Sequence, residues 1–156
     1  MEWKPLLKEN KYKDEIVKSL QFLVEQKRIR LYAFVIMSNH IHLIWQALPG
    51  HTPGKIQLSF MKYTSQQIKF DLQKSNINLL NQFKVEAKDR KYQFWERNAL
   101  SIELRKGKVF DQKIEYLHLN PVKAGLCNYP EEYYYSSAKF YLTGIDDFKM
   151  LTHYNE

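Results

Sequence analysis

The sequence predicts an α+β fold, an antiparallel sheet with helices packed on one face. Three observations carry this expectation. Two runs rich in β-branched and aromatic residues, Ile29 to Met37 (IRLYAFVIM) and His40 to Ala47 (HIHLIWQA), are separated only by Ser38-Asn39 and read as a hairpin. On either side, apolar residues recur at helical spacing: Ile16, Val17, Leu20, Leu23 and Val24 before it, then Ile56, Phe60, Met61, Thr64, Ile68 and Leu72 after it. No repeat, low-complexity tract or Ser/Gly linker divides the 156 residues, so one domain over 1–156 is expected.

The elements follow in chain order. The first helix is predicted over about Lys13 to Gln26, and the hairpin strands come next. Leu48-Pro49-Gly50-His51-Thr52-Pro53-Gly54 breaks the chain, because Pro and Gly punctuate regular structure. A long helix is predicted from Lys55 to about Lys74, then a short one at 77–83. Tyr92 to Glu96 and Ser101 to Lys106 read as strands around a turn at Arg97-Asn98-Ala99. A further helix starts near Phe110, with Asp111 able to cap it. It is expected to end near Asn120, because Pro121 disfavours helical backbone in the residue before it. The tyrosine-dense tail, Tyr129 to Tyr141, reads as a loop and short helix packed on the body.

Composition narrows the class. A chain this long buries about 70% of its unfolded surface, and 44% hydrophobic content supplies a core, so disorder is excluded. No apolar run approaches ~18 residues, Met1-Glu2-Trp3-Lys4-Pro5 is no secretory signal, and the one cysteine, Cys127, cannot form an internal disulfide. A cytoplasmic protein with no membrane partner is expected. Lys and Arg total 24 against 17 Asp and Glu, a net charge of +7. Alone this describes a lysine-rich surface. With eleven tyrosines and nine phenylalanines among the basic residues, it also suits a nucleic acid, which offers phosphates to cations and bases to rings.

Two constellations carry chemistry. His40-Ile41-His42 places both imidazoles on one face of a strand, near enough to share a metal ion. An isolated pair of this kind is more often structural, but its position at a tight turn after a long apolar strand raises its interest. Other His-x-His enzymes fit poorly: an amidohydrolase barrel needs ~250 residues, a histidine triad wants histidine where Ile44 stands, and a cupin needs glycines ahead of the pair. The second constellation is Tyr116-Leu117-His118-Leu119-Asn120-Pro121-Val122, where Tyr116 and Asn120 are helical neighbours four apart. A phenol beside a carboxamide suggests a nucleophile next to a further ligand; without the histidines, packing and a helix end would explain both. His118 lies about 200° around that helix from Tyr116 and is set aside as non-catalytic.

Phe34 to Ile44 (FVIMSNHIHLI), Tyr116 to Gly125 (YLHLNPVKAG) and Tyr134-Tyr135-Ser136-Ser137-Ala138 resemble the single-tyrosine HUH transposases. Among these the chain is most similar to the REP-associated tyrosine transposases, relatives of small insertion-sequence transposases. The resemblance covers nearly the whole chain, with three motifs in order. It implies a split β-α-β, ferredoxin-like sheet and an enzyme that cuts and rejoins single-stranded DNA at hairpins or repetitive elements. The intermediate would be a 5′-phosphotyrosine, with Tyr116 the nucleophile. His40, His42 and Asn120 would hold a divalent metal, Mg²⁺ or Mn²⁺, the latter better matched to nitrogen ligands. The implied assembly is a monomer or a homodimer.

Lys62, Tyr63, Arg97 and Lys123 are the expected DNA contacts, among Lys55, Lys69, Lys106 and Lys108 in the same regions. One departure stands out. Members of the family carry a β-strand before the segment matching Trp3-Lys4-Pro5-Leu6, beside the histidine strand, and here Met1 falls at that point. The expectation is an N-terminally truncated reading frame, inactive or unstable as written, because a strand without its neighbour leaves backbone groups unpaired. The alternatives are a decayed or domesticated nucleic-acid-binding domain without catalysis and, more distantly, an RNA-binding module.

Overall fold

The computed structural model describes residues 6–85, 87–88, 91–94 and 108–156. A 3₁₀ turn at Leu6–Lys8 leads into α1 (Asn10–Glu25), and strands β1 (Ile29–Ile36) and β2 (Ile41–Ala47) form an antiparallel pair. Helices α2 (Pro53–Ser75), α3 (Ile77–Asn81) and α4 (Lys108–Lys123) follow, then a 3₁₀ turn at Pro130–Glu132 and α5 (Ala138–Thr143). The α+β class with an antiparallel sheet and packed helices is therefore observed. The strands predicted within 92–106 fall almost wholly outside the described residues; Tyr92 makes an isolated antiparallel bridge to Lys84.

Strand alternation sorts the side chains onto two faces. Ile41, Leu43 and Trp45 of β2 join Leu31, Phe34 and Ile36 of β1 in the main core. That face is covered by α1 through Ile16, Leu20 and Leu23, and by α2 through Ile56, Phe60, Ile68 and Leu72. The register of β1 slips between Leu31 and Ala33, an irregularity that resets the alternation and keeps Leu31 on the same face as Phe34 and Ile36. Ala33, Val35, Met37 and Ile44 point the other way, onto Phe110, Ile114 and Leu117 of α4. Helices thus lie on both faces of the hairpin rather than on the one face expected: α1 and α2 share one, and α4 takes the other, because β1 carries apolar residues on both of its sides.

The outer edge of β1 is closed by the tail. Ile36 donates its N–H to the carbonyl of Tyr135 (2.9 Å), Ser137 donates to Phe34 (3.0 Å), and Thr152 donates to Leu31 (2.9 Å). The Tyr133 hydroxyl adds a 2.6 Å bond to the carbonyl of Ile36. β2 has no second strand neighbour among the described residues.

Helix α4 corrects one expectation. It does not stop at Asn120 but runs on to Lys123 with Pro121 inside it. A proline there removes the N–H that would serve the carbonyl of Leu117. The Asn120 Nδ2 fills part of that gap, reaching the carbonyls of Tyr116 (3.2 Å) and Leu117 (3.5 Å). Gly125, at φ +74, then ends the helix, with its N–H on Val122 (3.0 Å) and that of Leu126 on Pro121 (2.9 Å). Asp111 is also not the cap, since it lies inside the helix.

Candidate active site

The site builds from the second sheet face. β2 pairs His42 with Val35 and Ile44 with Ala33, so His42 stands on the side that α4 covers. His40 sits just before β2, and its carbonyl accepts the N–H of Met37 at 2.8 Å, closing the hairpin. The two imidazole centroids are 4.8 Å apart, edge to face at 79°. The alternation read from the sequence therefore does bring them together.

The neighbouring Asn39 places its Oδ1 2.7 Å from His40 Nδ1. A carbonyl oxygen only accepts, so it sets the neutral ring with its proton on Nδ1 and leaves the Nε2 lone pair exposed. Holding the remote nitrogen in this way is how a metal-binding imidazole is oriented. In the sequence Asn39 reads only as a turn residue. Its signal was an amide directly before the histidine pair.

From the far side comes Asn120, whose carboxamide acts on the charge of His40. Its nitrogen end is taken up by the Tyr116 and Leu117 carbonyls, which leaves the oxygen as the end that could serve a cation. Burial lowers the pKa of both imidazoles. The Asn120 carboxamide opposes that shift at His40 by favouring the charged ring, and the nearness of His40 adds to it at His42. Two neutral imidazoles and a carboxamide oxygen form a donor set that suits a divalent cation of intermediate hardness. Among the described residues no group of three His, Cys, Asp or Glu side chains could hold a metal.

Tyr116 lies one turn before Asn120 on the same face of α4 and is 59% exposed. Lys123, another turn further on, brings its ammonium to 4.7 Å from the Tyr116 ring centroid. One face of one helix thus presents phenol, carboxamide and cation in succession. His118 points the opposite way; it is buried, and burial pushes its pKa down to about 4. Its Nε2 lies 2.7 Å from Ser137 Oγ.

Of the four expected DNA contacts, only Lys123 among the described residues stands with Tyr116. Lys62 and Tyr63 are exposed on α2, which packs against the other face of the hairpin. Arg97 lies outside the described residues, as do Lys106 and the side chain of Lys108. Tyr133 and Tyr135 are engaged in packing: the former bonds β1, and the latter donates to Asp14 at 2.7 Å. No described helix is long and apolar enough to cross a membrane.

Residues 3–98 match the family model described as "Transposase IS200 like". This is more than half of the chain, which therefore belongs to the IS200-like transposase family. Its function is transposase-like and its partner is DNA. The match spans the hairpin, both histidines and α2, and ends before Tyr116 and Asn120. No curated protein and no solved structure matches the chain.

Proposed function

We propose that this transposase-family chain cuts and rejoins single-stranded DNA through a covalent bond to Tyr116, with His40, His42 and Asn120 holding a divalent metal ion, Mn²⁺ or Mg²⁺. The observation that carries the reading is that α4, which bears Tyr116 and Asn120 on one face, packs on the side of the hairpin where His42 stands, with the Asn120 carboxamide close enough to His40 to act on its charge.

In this reading the Tyr116 oxygen bonds to the scissile phosphorus and the 3′ oxygen departs, taking up a proton as the phenol releases its own to water. The product is a 5′-phosphotyrosine and a free 3′-hydroxyl. The phosphodiester energy stays in the covalent link, so the reverse attack by a 3′-hydroxyl rejoins a strand without a nucleotide cofactor. A divalent cation, when bound, supplies Lewis-acid polarisation of the phosphate, which matters because a free phenol with pKa ~10 is a weak nucleophile at neutral pH. Asn39 keeps His40 in the tautomer that offers Nε2, and Asn120 keeps its oxygen end on the site. Lys123 neutralises phosphate charge beside Tyr116. Any part played by Lys62 and Tyr63 concerns DNA beyond the strand being cut, such as a hairpin stem.

The test is a hairpin-bearing DNA oligonucleotide incubated with the chain and Mn²⁺, resolved on a denaturing gel. A covalent adduct that disappears in Tyr116→Phe is expected. DNA retained without adduct, and indifferent to a chelator, would instead mean a binding domain without catalysis.

A further inference from the structure

We propose that His118, acting through Ser137, is a positioning residue that sets the rotation of α4 and so aims Tyr116 and Asn120 at the histidine pair. The inference rests on the reading of Tyr116 and Asn120 as working side chains.

Helix α4 meets the sheet through Phe110, Ile114 and Leu117, all apolar. Apolar contact is non-directional, so by itself it fixes the rotation of a helix only loosely. One residue of slip along the axis would swing the working face by about 100°. His118 lies two positions after Tyr116 and two before Asn120, on the opposite side of the helix. A directional bond at that point holds the whole face in place.

Such a bond is present, and it is anchored. His118 Nε2 is 2.7 Å from Ser137 Oγ, in a buried setting. Ser137 is 0% exposed and is itself clamped to β1: its Oγ receives the N–H of Phe34 at 3.0 Å, and its own N–H donates to the carbonyl of Phe34 at 3.0 Å. Phe34 precedes Val35, the residue that pairs across the hairpin with His42. A continuous polar path therefore runs from the back of α4 to the strand register that carries the metal-binding face. A leucine at 118 would avoid the desolvation cost of a buried imidazole. What the imidazole adds is direction. The same path gives a role to the Tyr134-Tyr135-Ser136-Ser137-Ala138 segment, which contributes no group to the chemistry.

The test compares His118→Leu, Ser137→Ala, the double variant and His118→Gln in the full chain. His118→Leu and Ser137→Ala should each slow single-turnover adduct formation on the order of tenfold to a hundredfold, the cost of a misaimed group, while the oligonucleotide Kd changes by less than about twofold. The double variant should be no slower than the slower single one, because both changes cut one path. His118→Gln, whose amide can still reach Ser137, should recover most of the rate. Should His118→Leu fail to fold, Ser137→Ala and His118→Gln carry the comparison. Full rates in folded His118→Leu, or additive losses, would overturn the proposal. If the unaltered chain forms no adduct, the functional reading fails instead, and imidazole ¹⁵N spectra decide this one. His40 signals displaced alike by His118→Leu, Ser137→Ala and Asn120→Ala would support the clamp, and unmoved His40 signals in the first two would overturn it.

Discussion

The Lys123 ammonium stands 4.7 Å from the centre of the Tyr116 ring, two turns further along one face of α4. At an exposed site a cation over a ring contributes about 0.5–1 kcal/mol, so Lys123→Met should slow adduct formation by about two- to fivefold through ring placement alone. It should also remove one phosphate contact, lowering the slope of log K against log salt by about one. Binding titrations over a range of salt, with adduct kinetics alongside, measure both effects. An unchanged rate and slope would show that the contact is incidental.

Asn39 should matter as much as a direct ligand. With Asn39→Ala the His40 ring loses the acceptor on Nδ1 and the tautomer preference it sets. Loss of such an outer partner typically weakens metal binding by about 10- to 100-fold. A Mn²⁺ titration followed by electron paramagnetic resonance reads this, with His42→Ala as the reference for loss of a ligand.

Chelation should abolish chemistry without unfolding the chain. The histidine pair lies at the hairpin turn, whereas the main core of Phe34, Ile36, Leu20 and Leu72 closes on apolar contact. The thermal midpoint with and without EDTA should therefore agree, unlike that of a structural metal domain, while adduct formation is lost. A large drop in the midpoint would mean that the cation holds the fold.

A pH dependence follows from the pairing of α1 with α2. Tyr12, buried on α1, donates its hydroxyl to Asp71 of α2 at 2.6 Å, and Lys11 adds a 2.8 Å ion pair to the same carboxylate. Burial and then the Asp71 bond push the Tyr12 pKa up to about 12. The folded state therefore holds this proton more tightly, so the stabilisation is complete below pH ~10 and is lost as pH rises through about 12. Asp71 shifts the other way, lowered first by Lys11 and then by Tyr12. Its contribution is present above the usual carboxylate range and disappears as pH falls through its lowered value. Asp71→Asn should cost about 1 kcal/mol near pH 7 for this half-exposed network, with the difference from the unaltered chain shrinking at both extremes. Urea midpoints across pH measure it.

The tail should prove necessary to the sheet. A chain ending at Lys149 loses the Thr152 bond to Leu31 and the buried side chain of Met150. The missing core side chain alone corresponds to about 2–5 kcal/mol. The uncovered edge of β1 offers a template for pairing with another copy. A lower urea midpoint with concentration-dependent sedimentation is expected; unaltered values for both would remove the tail from the fold.

Much of this molecule is legible in its residues, for identifiable reasons. α1, β1, β2 and α2 announce themselves through period and composition, because each buries one face and that face dictates which positions are apolar. The His40–His42 pair is legible for the same reason, since strand alternation alone puts both rings on one side. Local rules failed at Pro121, where the expected break is absorbed by the Asn120 side chain bonding back to the Tyr116 and Leu117 carbonyls. They also had no means of pairing Ser137 with Phe34, or Thr152 with Leu31, because hydrogen bonds between residues so far apart in sequence leave no periodic trace.

Sequence by itself determined the α+β class, the histidine pair and the shared helix face of Tyr116 and Asn120, all consequences of backbone geometry acting over a few neighbouring residues. Only the tertiary structure decided that this helix crosses the histidine side of the hairpin while Lys62 and Tyr63 occupy the other, and that His118 meets Ser137 behind it. Which face a helix covers depends on where every apolar surface of the chain is buried at once, and no single segment encodes that.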